Sequence, residues 1–419
     1  MSVSVETVGA HLVVRSRRVD DPGALLDLLP RDGLAWVRRG DGMVAWGEVA
    51  RWQPSGPDRF AEAARTWRDA VRGAVVRDDV QVPGSGPVAF GSFTFDDAGT
   101  SVLVVPEVVV GRRDGVSWVT TISAGDRVPP MSTPQPRDPS TCAGAVTFDD
   151  GSLTASEWLA AVTTAVGRIT AGELDKVVLA RDVVATTEHP LDPRWPLERL
   201  AEQYPGCWTF QVDGLLGATP EMLIRLEKGL ATSRVLAGTI RRTGDDAHDL
   251  ALAASLARSS KDHQEHEFAV RSVADALARH GTLNVPETPF VLHLPNVMHL
   301  ATDVTGVVHD GRTALELVAD LHPSAAVCGT PTGTARDVIA ELEQLDRGRY
   351  AGPVGWMDAR GDGEWAIALR CAHLEGPRRL RLYAGCGIVA GSSPQDELAE
   401  AEAKLTPMRE ALQSARPSA

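Results

Sequence analysis

Residues 258–280, RSSKDHQEHEFAVRSVADALARH, read as one helix with an unusual beginning. Phe268, Val270, Val273, Ala274, Leu277 and Ala278 recur near helical spacing, and Gly281 ends the pattern. Ahead of this face stand Asp262, His263, Glu265, His266 and Glu267. Asp262 and Glu265 are three residues apart, so both carboxylates leave one face of the helix. Two carboxylates about 5 Å apart repel by roughly 3 kcal/mol at an effective dielectric of about 20. One explanation is a solvated acidic first turn, which the helix macrodipole favours. The other is half of a divalent-metal site. The histidines do not make a zinc-hydrolase motif, because they are three apart and the order around the glutamate is wrong.

Working outward, the chain of 419 residues is 43% hydrophobic, enough for a large core. A formal net charge of -14 removes the basic footprint of a nucleic-acid binder. No apolar run approaches a membrane span, and the first residues lack a basic-then-apolar signal layout. A cytoplasmic protein with no membrane and no nucleic-acid partner is the expectation. The five cysteines are odd in number and show no zinc or redox spacing, as in a reduced compartment.

Before the opening stretch, residues 33–52 alternate around Gly40-Asp41-Gly42 and predict a hairpin. Residues 58–74 predict a helix, and Pro106 interrupts a strand, which places it at an edge or bend. Residues 126–140, DRVPPMSTPQPRDPS, carry five prolines and read as a linker between two lobes of one fold. Thr154 and Glu157 form a candidate capping box for a helix to about Thr170. KVVLARDVVA (176–185) is a strand that begins, unusually for its apolar character, with a lysine. Residues 207–242 read as a meander, with Glu221 between a strand and the next element. After the opening stretch come strands over 290–308, helices near 313–321 and 335–345, a hairpin over 352–376, and a Gly-Cys-Gly turn at 385–387. A helix follows from about Pro394, and residues 414–419 suggest a frayed end. GTPTGTARD (329–337) lacks the Gly-Lys-Ser/Thr ending of a phosphate-binding loop.

Four patches then fall in one order: LDKVVLAR (174–181), GATPE (217–221), AGT (237–239) with KDHQEHE (261–267), and AGCGIVAGSSPQDELAEAEAKL (384–405). Together with LHPSAAVCGTP (321–331) they resemble the chorismate-utilising enzymes, which include isochorismate, salicylate, anthranilate and aminodeoxychorismate synthases. The resemblance covers about residues 152–412. It implies an α+β fold with a large antiparallel two-layer β core flanked by helices. Residues 1–140 would form an N-terminal lobe and residues 141–412 the chorismate-binding catalytic region.

The resemblance also implies a site. Mg2+ would be the cofactor, with Glu265 and Glu400 as direct ligands and Asp262 and Glu397, each three residues earlier, holding metal-bound waters. Arg370 matches an arginine that clamps a substrate carboxylate. Gly385, Cys386 and Gly387 match backbone donors to carboxylate oxygens, with Cys386 where Ala or Gly is usual. Thr239, His299, Tyr350 and Lys404 match other pocket positions. Lys176 matches the general base toward water in isochorismate and salicylate synthases, where anthranilate synthases carry glutamine. Ala237 stands where aminodeoxychorismate synthases carry a nucleophilic lysine. Glu221 matches the general acid.

The implied activity is an isochorismate synthase, an isomerase feeding menaquinone or siderophore biosynthesis. A salicylate synthase, which goes on to eliminate pyruvate, shares the same motifs. An amine-using synthase and a non-catalytic chorismate-binding protein are the remaining readings. Chorismate is the implied small-molecule partner, no glutaminase subunit is expected, and a monomer is common in the family.

Overall fold

The structure is a computed structural model that describes residues 11–125 and 134–413. Most of the proline-rich linker and the last six residues therefore lie outside the described residues.

Two large sheets form the core, one of 13 strands and one of 10. Among the described residues all pairings are antiparallel except Leu12–Val19 with Val75–Asp78. The sheets share one apolar cluster that runs from Trp36 and Trp118 to Trp158 and Trp365. Helices flank them, which is the α+β arrangement expected. Segments 11–125 and 134–413 interleave within both sheets. Leu34–Arg38 pairs with Trp208–Val212 in the larger, and Val88–Ser92 with Pro353–Asp358 in the smaller. No helix of the described residues is long and apolar enough to cross a membrane.

Local readings hold where one residue type dictates the geometry. Thr154 and Glu157 make the reciprocal capping box of helix Ala155–Thr170. Pro106 falls between Val102–Val105 and Val108–Arg113, which belong to different sheets, so the bend is a crossing from one sheet to the other. Four readings shift. The first hairpin turns at Arg39-Gly40, both with positive φ, because Arg38 pairs directly with Asp41. The helix expected at 335–345 is Thr332–Leu342. Residues 352–376 contain three strands, the last of which joins the other sheet. Gly385–Gly387 is not a turn but part of strand Arg379–Ile388, held extended by pairing with Lys176–Thr187.

The opening stretch is helix Ser260–Leu277, capped by the Ser259 hydroxyl on the Asp262 N–H. A separate helix, Asp246–Leu256, precedes it.

Candidate active site

Two sheet crossings meet at one place. Glu221 lies between Leu215–Thr219 of the larger sheet and Met222–Glu227 of the smaller, with no helix after it. Arg370 lies between Gly363–Ile367 of the smaller sheet and Cys371–Gly376 of the larger. Hydrogen bonds lock the crossings together. Thr219 Oγ1 donates to Ile367 O at 2.7 Å, Ile367 N–H to Glu221 O at 3.2 Å, and Ala218 N–H to Arg370 O at 3.2 Å. Arg370 is held at φ 49, a left-handed conformation that costs a non-glycine residue energy and is tolerated where packing over-determines it.

A cleft opens at this junction. Glu221, Thr239, Glu265, His299, Tyr350, Arg370, Gly385, Gly387 and Lys404 all line it. The remaining residues singled out from sequence, Lys176, Cys386, Asp262, Glu397 and Glu400, are not among its lining.

The cationic side is ordered by a relay. Arg370 donates to His299 Nε2 at 3.0 Å, so the imidazole proton is on Nδ1, which faces Thr239 Oγ1 at 3.1 Å. Burial, then Arg370 and Lys404, hold His299 well below the usual histidine range, so it stays neutral and accepts from the arginine. The guanidinium is thereby aimed without being neutralised.

Glu221 is the acidic counterpart. Burial pushes its carboxyl up to about 8, against the opposing pull of the Leu236 backbone and of Lys176, Lys404 and Arg370. At neutral pH this places a largely protonated carboxyl in a cavity that also presents Arg370 and Lys404.

Three carboxylates and three lysines face one another. Lys176 Nζ, fully buried, lies 3.3 Å from Glu265 Oε1; Lys261 Nζ lies 2.7 Å from Glu397; Lys404 Nζ lies 2.6 Å from Glu400. Lys404 also donates to Gly385 O at 2.8 Å. Glu265 accepts from the Gly238 N–H at 3.2 Å, which a bulge between Ala237 and Thr239 turns out of the ladder. A Cβ at Gly387 would lie 2.0 Å from Glu265 Oε1, so any side chain there would displace this carboxylate.

Cys386, Glu397 and Glu400 bring possible ligand atoms within 4.8 Å of one another. The thiol is a poor member of that set. Burial raises it well above the ordinary cysteine range, and Sγ donates to Glu397 O at 3.3 Å. What remains is oxygen, from Glu397 and Glu400 with Glu265 nearby, which suits a hard divalent cation such as Mg2+. Burial, then repulsion from Glu400, raises Glu397, as expected of crowded carboxylates. Asp262 and Glu265 fall outside the tight group; Asp262 packs against Gly238.

Three neighbouring residues have partners of their own. The Cys386 backbone is paired with Leu179 in the ladder, so its N–H is spent there, whereas the neighbouring Gly385 and Gly387 face the other way. Of the two histidines of the opening stretch, His263 contacts Ala257 O at 2.9 Å and His266 contacts Thr302 Oγ1 at 2.8 Å. Sequence reasoning missed Lys261, although it sits inside the quoted stretch. Only its distant partner Glu397 reveals its role. Tyr383, stacked on Tyr350 at 4.8 Å, was also missed and lines the cleft.

This geometry has known relatives. A family model described as chorismate binding enzyme matches residues 36–413. Isochorismate synthase DhbC of Bacillus subtilis (strain 168) is 38% identical over 343 residues, covering 78% of this chain and 81% of that protein. Isochorismate synthase MenF of the same organism is 30% identical over 409 residues, covering 88% and 85%. The solved structure of MenF, the menaquinone-specific isochorismate synthase from Escherichia coli, superposes with a TM-score of 0.77 at 25% identity, covering 96% of this chain and 95% of that one. The crossing sheets, the cleft at their junction and the match along most of the sequence lead to one conclusion: the chain belongs to the chorismate-binding enzyme family.

Proposed function

We propose that this protein is a Mg2+-dependent isochorismate synthase. The observation that carries the reading is a buried carboxyl, Glu221, pushed up to about 8 by its burial and acted on by the charge of a fully buried lysine, Lys176, beside an anion clamp. The names of the relatives support the same reaction. Arg370, with Thr239 behind His299, holds a substrate carboxylate; the Gly385 and Gly387 backbone and Tyr350 bound the ring. Lys176 takes a proton from water as the oxygen bonds to C2 of chorismate. The ring double bond shifts, and Glu221 protonates the C4 hydroxyl, which departs as water. One water enters and one leaves, so the product is an isomer. When bound by Glu397, Glu400 and Glu265, Mg2+ supplies neutralising charge for the second substrate carboxylate.

Incubation with chorismate and Mg2+ should yield isochorismate. Salicylate together with pyruvate would move the assignment to a salicylate synthase, and absence of turnover would sink both. Gly387→Ala tests the metal cradle, because the added methyl displaces Glu265. Its Mg2+ affinity by calorimetric titration should fall about 10–100-fold, the scale for disturbed metal-site support, with little change in melting temperature. Unchanged affinity would remove Glu265 from the metal set.

A further inference from the structure

The strand that carries Lys176 has a gap along one edge. Arg379–Ile388 covers its other edge from Val177 to Thr186. On the gapped edge, Gly329–Thr330 reaches only Lys176 and Val177, and Val146–Asp150 begins at Val183. Val178 and Ala180 turn their backbone groups into this gap, where an unpaired buried amide or carbonyl is costly. Two of the four groups find ordinary partners. Val178 N–H donates to Cys328 O at 2.7 Å, and Ala180 O accepts from Trp158 Nε1 at 2.9 Å.

One ion pair fills the other two places. Arg347 donates to Val178 O at 2.8 Å, and Glu343 Oε1 accepts the Ala180 N–H at 2.7 Å. The pair is bidentate, with Arg347 Nε on Glu343 Oε2 at 2.8 Å and a second nitrogen on Oε1. A further nitrogen donates to Val327 O at 2.9 Å, on the loop whose Ala326 and Val327 line the cleft. The guanidinium lies 4.2 Å over the Phe95 ring, and the two side chains are only 1% and 2% exposed. A buried pair of this kind is weak evidence of stability in itself, since removal from water offsets most of its attraction. Its distribution says more: the guanidinium joins the lysine strand, the cleft loop and the N-terminal segment at once.

We infer that Glu343 and Arg347 are positioning residues for Lys176, standing in for the missing strand and setting where the lysine meets the cleft. The inference rests on the synthase reading above and adds to it a pair whose arginine borders the cleft while its hydrogen bonds go to the lysine strand and the cleft loop. Displacement of a base by about 1 Å costs on the order of 100-fold in rate.

The test uses Arg347→Lys, which keeps the charge but offers three donors on one nitrogen where the guanidinium meets four acceptor atoms, and Glu343→Gln, which keeps an acceptor for Ala180. With chorismate and Mg2+, each should lower kcat about 10–100-fold while KM changes less than about 3-fold, because Arg370 and His299 are anchored on other strands. In a Lys176→Ala background, Arg347→Lys should produce no further loss of the residual rate. A folded variant with normal kcat, or an equal loss with and without Lys176, overturns the inference. So does collapse of both variants in a thermal melt, which would assign the pair to folding alone. Wild-type protein that fails to convert chorismate overturns the synthase reading instead.

Discussion

Glu221→Gln loses about 10²–10⁴-fold in kcat and keeps its affinity for chorismate. Glutamine has the same outline, so packing in the buried crossing survives, but it cannot release a proton to the departing hydroxyl. The carboxyl at about 8 also sets a pH dependence in the wild type. Roughly nine in ten molecules hold the proton at pH 7, and the rate should fall as pH rises through about 8. The stability consequence has the same sign. A carboxyl raised in the folded state contributes stability that is complete below its ordinary range and is lost as pH climbs toward 8. Urea melts across that window should therefore show a shallower pH slope for the glutamine variant than for wild type. Activity that stays level past pH 9 would dismiss Glu221 as the acid.

Lys176→Ala should separate chemistry from metal binding. The substitution removes the base, worth about 10²–10⁴-fold. It also removes the cation 3.3 Å from Glu265. Freed of that ammonium, Glu265 should hold a divalent ion at least as well as before, since the lysine and the metal compete for one carboxylate. Calorimetry with Mg2+ alone should give an affinity equal to or tighter than wild type, in a protein that turns over little chorismate. Substantial isochorismate formation by the variant would end the assignment of Lys176 as the base.

Some of this site was legible in the sequence because the chemistry is local. Asp262 and Glu265 announce an acidic helix start, and Glu397 and Glu400 repeat the spacing. Lys176 stands out against its apolar strand. The fold class came with the ordered patches rather than from periodicity, which assigned strands and helices but not which sheet each strand would join. Two kinds of feature stayed hidden. Gly385–Gly387 carries turn residues, yet strand pairing keeps it extended, so tertiary context overrode local preference. Glu343 and Arg347 look like an ordinary i, i+4 surface pair. Only the gap between Gly329–Thr330 and Val146–Asp150 makes them matter, and a gap in a sheet edge has no sequence signature.

The interleaving of early and late segments in both sheets bears on how the protein comes into being. Strand Leu34–Arg38 emerges from synthesis long before its partner Trp208–Val212, and Val88–Ser92 waits for Pro353–Asp358. Neither sheet can close until nearly the whole chain is available. Folding is therefore governed by slow, non-local pairing, with apolar strand edges open in the meantime. Expressed alone, either segment would carry half-sheets with exposed edges and would aggregate, so the catalytic junction cannot be obtained as a smaller fragment.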